Sequence, residues 1–271
     1  MSAQALKPPF AYYGGKTTLA PQIAKLLPDH DHYVEPFAGS LAVLLAKTPA
    51  KAETVNDLDG DLMTFWKVLR EQSDALEEAC KLTPHSREEY SLSCGNLRDL
   101  PDLERARRVF VRLTQGRSHS MKPTGWKYQK DVQKRHTARQ HINSYTARLS
   151  KVSSRLMDVS LECRNAVEVV QEYGSEPTVC IYADPPYLGS TRADNYRMEM
   201  LEDNLHVQLA HALNNCKASV VLSGYASPLY EELYEGWHRY ELKAPTRLSG
   251  TAAPNEILWS NVPLGDQASL F

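Results

Sequence analysis

Thr178-Val179-Cys180-Ile181-Tyr182-Ala183-Asp184-Pro185-Pro186-Tyr187 is an apolar run that ends on an acid, two prolines and an aromatic ring. The apolar part reads as a buried strand closed by its prolines. An acid at the carboxyl end of a strand lies where open α/β sheets place their ligands. Pro185 and Pro186 fix the backbone, so the peptide carbonyls stay rigid and are not all used up in a helix. Tyr187 adds a flat apolar face with a polar tip. These residues make a slot for a planar ring bearing an exocyclic amino group. Asp184 and a proline carbonyl accept the two N–H bonds, and Tyr187 stacks on the ring.

Working outward, strands alternate with helices. Strands are expected at 32–37, 53–56, 159–163, 178–183 and 218–223, with an antiparallel closing pair at 237–242 and 256–259. Helical patterns follow at 42–46, 62–82, 166–173 and 204–214. In the long one, Leu62, Phe65, Trp66, Leu69 and Leu76 recur at near-helical spacing. This alternation predicts an α/β fold with a mostly parallel sheet covered on both faces. Between the second and third strands, residues 84–151 are too long for a simple crossover. They hold helical patterns at 103–113 and 138–156 around a loop at 116–130. The expected division is therefore a domain of 1–83 with 152–271, carrying 84–151 as an insertion.

The 271 residues suffice for a sizeable core, and 42% apolar content is ordinary for a globular chain. No apolar run approaches the length of a membrane span, and no secretory signal opens the chain. The 5 cysteines are scattered without a C-x-x-C pair, which disfavours structural zinc and fits a reducing cytosol. Net charge is only −2, yet the charge is segregated. From Glu104 to Asp158 there are 14 Lys or Arg against 3 acids, which leaves the remainder of the chain with an excess of 13 acids. Such a basic insertion reads as a phosphate-facing surface, against the plainer alternative of a solvated helical face. Within it, Arg112, Arg117, Lys122, Trp126, Lys127 and Lys130 are the candidate DNA contacts.

Tyr12-Tyr13-Gly14-Gly15-Lys16, then Tyr33-Val34-Glu35-Pro36-Phe37-Ala38-Gly39-Ser40, then Asn56-Asp57-Leu58-Asp59-Gly60-Asp61-Leu62 precede the Asp184 block in order. With these blocks in this order the chain resembles Dam-type DNA adenine N6-methyltransferases, from about Pro9 to Asn261. The resemblance implies a Rossmann-like fold dependent on S-adenosylmethionine, with a seven-stranded sheet and a helical, basic target-recognition insertion. It implies double-stranded DNA as substrate, a cytoplasmic setting, no membrane partner, and compatibility with a monomer. Asp184, Pro185, Pro186 and Tyr187 become the catalytic slot. Tyr12, Gly14, Lys16, Glu35, Phe37, Ala38, Gly39, Asp57, Asn165 and Asp184 become the cofactor pocket.

The residues themselves carry part of this. Phe37-Ala38-Gly39-Ser40 follows a strand and opens a helix, so its backbone allows close approach of a ligand. A dinucleotide fingerprint would need further glycines that Ser40, Leu41 and Ala42 do not supply. The family pattern F-x-G-x-G keeps Gly39 and has Leu41 in place of its second glycine. Asp57 ends a strand where an acid binds ribose hydroxyls, the alternative being a helix N-cap. Gly14-Gly15-Lys16-Thr17-Thr18 resembles the tail of a phosphate-binding loop, but Phe10 stands where that motif needs glycine. Asn165 is a weaker match to an adenine-contacting position.

The amino nitrogen of adenine is a poor nucleophile until its hydrogens are held by Asp184 and a carbonyl. A paired base cannot reach the slot, so the target is expected to flip out. Ser223-Gly224-Tyr225 and a flap at 189–197 are further candidates around it. A cytosine N4-methyltransferase is the nearest rival, and those enzymes more often carry serine where Asp184 stands. A non-catalytic DNA-binding module is the rival from another class. Intact Lys16, Asp57, Asp184 and Tyr187 argue against it.

Overall fold

The computed structural model describes residues 5–128, 138–187, 200, 203–242 and 255–265. Along the chain come α1 (Ala20–Leu26), β1 (His32–Glu35), α2 (Ala42–Ala46), β2 (Ala52–Asn56), α3 (Gly60–Glu71) and α4 (Ser73–Leu82). Next come α5 (Arg87–Ser93), α6 (Asp102–Gln115), α7 (Ala138–Thr146) and α8 (Leu149–Leu156), the last crossing the expected boundary at 151. Then follow β3 (Val159–Glu162), α9 (Ala166–Tyr173), β4 (Val179–Ala183), α10 (Asp203–Asn214), β5 (Ser219–Gly224), α11 (Pro228–Leu233), β6 (His238–Leu242) and β7 (Glu256–Ser260).

The strands form one 7-stranded sheet in the order β3-β2-β1-β4-β5-β7-β6. β1 pairs parallel with both β2 and β4, with Val34 opposite Thr54 on one side and Ile181 on the other. β2 pairs parallel with β3, and β4 with β5. β7 runs antiparallel between β5 and β6. The order reverses between β1 and β4, and a crevice opens at the carboxyl ends of such a pair.

β4 is buried along its whole length, as a strand covered on both faces must be. Its period-2 alternation divides the core. Tyr33, Val55, Tyr182, Val221 and Leu258 pack with α2, α3, α6 and α8. Val34, Ile181, Val220, Leu222 and Ile257 face Val169, Leu209, Leu213 and Tyr230 of α9, α10 and α11. Val109, Phe110, Leu113, Ile142 and Leu149 of the insertion join the first of these clusters. Residues 84–151 are therefore fastened to the sheet's main core, and their described part does not pack around a core of its own.

Two expected helices are each divided. The pattern at 62–82 breaks at Gln72, whose φ of −137° and ψ of 44° leave the helical region while its amide closes α3 on the Val68 carbonyl. Ser73 and Asp74 then open α4, with an acid placed favourably in its first turn. The pattern at 138–156 breaks between Thr146 and Leu149. The Thr146 hydroxyl donates to the Asn143 carbonyl, and short polar side chains of this kind compete with the helix ladder. Among the described residues, no helix is long and apolar enough to cross a membrane.

Candidate active site

Asp184 follows the last residue of β4 and is met there by Lys16 from the N-terminal segment. That segment turns at Tyr12–Gly15, closed by the Gly15 amide on the Tyr12 carbonyl at 2.9 Å, with Gly14 at φ +73°. A side chain at Gly15 would meet the Tyr12 carbonyl at 3.0 Å and the Ser40 hydroxyl at 3.1 Å, so one of these neighbours would have to give way. The Lys16 ammonium donates to Asp184 Oδ1 at 2.7 Å and to the Gly14 carbonyl at 3.2 Å. It stands 4.7 Å from the centre of the Tyr187 ring and 3.6 Å from Glu256 Oε1. Only 6% of the Lys16 side chain is exposed, so this is not the kind of surface pair that contributes little.

Tyr187 is held by its hydroxyl. It donates to Glu256 and lies 3.3 Å from Asp184 Oδ1. The Tyr225 ring lies 4.5 Å away at 60°. Glu256 reaches this point because β7 is antiparallel: its first residue lies at the edge where the parallel strands end.

A cavity of about 440 Å³ opens beside Asp184 at the carboxyl ends of β1, β2 and β4. Every residue expected in the cofactor pocket lines it: Tyr12, Gly14, Lys16, Glu35, Phe37, Ala38, Gly39, Asp57, Asn165 and Asp184. Pro186 lines it as well. Gly39, at φ +46°, lies against the Tyr12 ring, which a Cβ would meet at 3.3 Å. Asp57 accepts the Gly39 amide at 3.0 Å and the Asp59 amide at 2.9 Å, tying the loop after β1 to the end of β2. The N-cap of α3 is Asp59, not Asp57. Asn165 caps α9 by accepting the Val167 amide at 2.8 Å, which leaves its NH2 group to offer a ligand.

Leu41 takes the position of the family's second glycine with φ +57° and is wholly buried. The left-handed conformation costs about 1–2 kcal/mol for a residue with a side chain, and the leucine side chain joins the core.

Burial dominates the electrostatics. It pushes the Glu35 carboxyl up to about 8, helped by the charge of Asp184 and opposed by the Tyr33 hydroxyl, which donates at 3.0 Å. Burial also raises Asp184 and Glu256, in each case against the pull of Lys16. Lys16 loses solvation too, but Asp184 and Glu256 outweigh that and hold its pKa above the ordinary value. The site thus retains an ammonium paired with carboxylates whose ionisation burial opposes.

The DNA-contact candidates separate. Arg112 is only 2% exposed and donates to the carbonyls of Ser93, Met121 and Gly95, so it is a structural arginine that braces the insertion, unavailable to phosphate. Arg105, Arg107 and Arg108 are likewise paired, with Asp61, with Glu104 and Glu89, and with Glu104. Arg117 and Lys127 are exposed and Trp126 and Lys122 half-buried, on the loop bridged at Gly116 and Trp126. Lys130 and the flap at 189–197 lie outside the described residues. Sequence reasoning missed Glu256, and also Val167, Leu205 and Gln208, which line the cavity from α9 and α10. The one available signal for Glu256 was an acid heading the otherwise apolar Ile257-Leu258-Trp259.

The profile of the D12 class N6 adenine-specific DNA methyltransferases matches residues 12–248. The type II methyltransferase M1.LlaDCHI of Lactococcus lactis subsp. cremoris is 29% identical over 266 residues, covering 90% of each chain. The type II methyltransferase M.MjaIII of Methanocaldococcus jannaschii is 28% identical over 261 residues, covering 86% of this chain and 89% of the relative. Among solved structures, a SAM-dependent methyltransferase from Agrobacterium tumefaciens aligns at a TM-score of 0.35 and 9% identity, over 90% of this chain and 59% of that one.

Proposed function

This chain belongs to the D12 class of N6 adenine-specific DNA methyltransferases, and from that premise we propose how its residues divide the work. The enzyme methylates the N6 amino group of adenine in DNA, with S-adenosylmethionine as donor. The observation that carries the assignment of roles is Asp184, at the mouth of a cavity lined by Tyr12, Glu35, Gly39 and Asp57.

The cavity fits the donor. Its volume of about 440 Å³ lies in the usual range for small-molecule sites. Tyr12 and Phe37 offer apolar faces, Asp57 and Glu35 offer acceptors, and Gly39 keeps the wall free of a side chain. Asp57 would take the ribose hydroxyls and Asn165 the adenine edge. Lys16, Glu35 and the Gly14 turn would take the methionine end. When bound, S-adenosylmethionine supplies a sulfonium methyl group, which leaves as the sulfur becomes a thioether.

The target nitrogen must be made nucleophilic by the protein. Asp184 and the Pro185 carbonyl accept its hydrogens and favour a more tetrahedral nitrogen whose lone pair points into the cavity. Pro186 keeps that backbone rigid, and Tyr187 supports the ring. The nitrogen gains the methyl group and gives up a proton afterwards, so Asp184 need not act as a strong base. Orientation and electrostatics are the protein's main contribution.

We further propose double-stranded DNA as the substrate form, with the target base flipped into the slot. Unstacking costs a few kcal/mol, partly offset by about 1–3 kcal/mol of stacking on aromatic rings. Residues 84–151 would supply the phosphate contacts. Support comes from the exposed group around Trp126: Arg87 lies 4.9 Å from its ring, and the Tyr128 ring stacks on it at 5.9 Å and 22°. Arg117 lies 5.5 Å from Tyr128. Arg117, Lys122 and Lys127 are the phosphate candidates that survive, and Lys130 is retained from the sequence. The names of both curated relatives favour a type II restriction-modification setting.

The test is to incubate the protein with S-adenosylmethionine and unmethylated plasmid, digest the DNA and identify the modified nucleosides by mass spectrometry. N6-methyladenine is expected, and N4-methylcytosine would overturn the choice of base.

A further inference from the structure

The Lys16 ammonium is bonded to the carboxylate that, on the reading above, holds the target's amino group. It donates to Asp184 Oδ1 at 2.7 Å and stands 4.7 Å from the centre of the Tyr187 ring. An arriving amino group needs the same acceptor and the same ring. Lys16 cannot simply leave, since its side chain is 6% exposed and a buried ammonium without partners is strongly disfavoured. A second acceptor is within reach: Glu256 Oε1 lies 3.6 Å from Lys16 Nζ, itself buried, and already accepts the Tyr187 hydroxyl. A shift of Nζ directly toward Glu256 by the difference between those two separations would bring it to hydrogen-bond distance.

We propose that Glu256 is a positioning residue of the methyl transfer, which anchors the Tyr187 ring by its hydroxyl and receives the Lys16 ammonium when the target amino group takes Asp184. The site then exchanges one N–H donor on Asp184 for another, and the buried cation stays paired throughout. The inference rests on the reading of Asp184 as the holder of the target amino group.

The experiment compares the full chain with Glu256→Gln, Glu256→Ala, Tyr187→Phe and Asp184→Ala. It uses kcat and KM on a duplex carrying the methylated site, S-adenosylmethionine affinity by calorimetry, and the fluorescence of 2-aminopurine at the target position. Glu256→Gln keeps an acceptor for Tyr187 and loses the charge that receives Lys16, so kcat falls about tenfold. Glu256→Ala loses both and falls about a hundredfold. In both, cofactor affinity stays within about threefold, and the 2-aminopurine signal of a flipped base weakens in the alanine variant. Tyr187→Phe combined with Glu256→Ala costs less than the product of the single effects, because the two share one hydrogen bond. Parental kcat in both Glu256 variants overturns the proposal, as does a loss of cofactor affinity equal to the loss of kcat. If Glu256→Ala fails to bind cofactor through misfolding, Glu256→Gln and Tyr187→Phe decide by the same criteria. Turnover by Asp184→Ala would instead sink the underlying reading of the slot. An inactive Asp184→Ala beside parental Glu256 variants sinks this inference alone.

Discussion

Lys16 and Asp184, separated by 168 residues in sequence, meet at 2.7 Å in an ion pair whose lysine is buried and whose aspartate is half-buried. The pair joins the N-terminal turn to the end of β4 and so assembles the cavity mouth from segments that the chain supplies far apart. It also engages Asp184 Oδ1, the acceptor proposed for the target amino group, and under that proposal the arrival of substrate is an exchange of donors.

Arg112 and Arg117 should part company when each is replaced. Arg112→Met removes the donor that satisfies Ser93 and Met121 carbonyls in the core, so stability falls by about 3 kcal/mol and the thermal midpoint by about 6–12 °C. Its DNA affinity, measured below that midpoint, keeps the parental salt dependence. Arg117→Ala and Lys127→Ala leave the midpoint unchanged, and each lowers the slope of log affinity against log salt by about 1. An Arg112 variant that loses salt dependence at parental stability would contradict the assignment.

Leu41 offers a test of backbone strain. Glycine destabilises a helix interior relative to alanine, but Leu41 is the N-cap of α2 and sits at φ +57°. Both Leu41→Ala and Leu41→Gly lose a wholly buried side chain. Only the glycine variant regains about 1–2 kcal/mol of conformational cost. Chemical denaturation should therefore find Leu41→Gly more stable than Leu41→Ala by about 1 kcal/mol. The opposite order would mean that the turn does not carry this strain.

Glu35 gives the apo protein a pH signature. Its folded pKa of about 8 lies above the ordinary 4.5, so the folded state holds a proton that the unfolded chain has released across that interval. The stability this contributes is complete below about 4.5 and is lost as pH rises to about 8. Glu35→Gln does not titrate and still offers an oxygen to the Tyr33 hydroxyl. Its thermal midpoint relative to the parent should climb from pH 5 to pH 8 and then level off. A constant difference across that range would contradict the burial-driven shift.

Much of this architecture was legible in the chain because it depends on local signals. The apolar run before Asp184, closed by two prolines, reads as a buried strand and is one, and Ala166–Tyr173 begins at a capping asparagine and is helical as read. The expected cofactor residues converge because strand ends at a reversal of strand order share one crevice. What escaped depends on distance. The helix break at Gln72 is a matter of backbone angles at a residue with no breaking tendency of its own. Arg112 reads as a free basic residue until the carbonyls that bind it are in place. Glu256 becomes part of the site only because β7 runs backwards, which brings its first residue beside Tyr187.

The most direct test of the account is a paired measurement on Asp184→Ala: methylated nucleosides formed from plasmid DNA, and S-adenosylmethionine affinity by calorimetry. N6-methyladenine formation should fall by at least about a hundredfold while the cofactor still binds, if Asp184 holds the reacting nitrogen as proposed. Parental amounts of N6-methyladenine from this variant would contradict it.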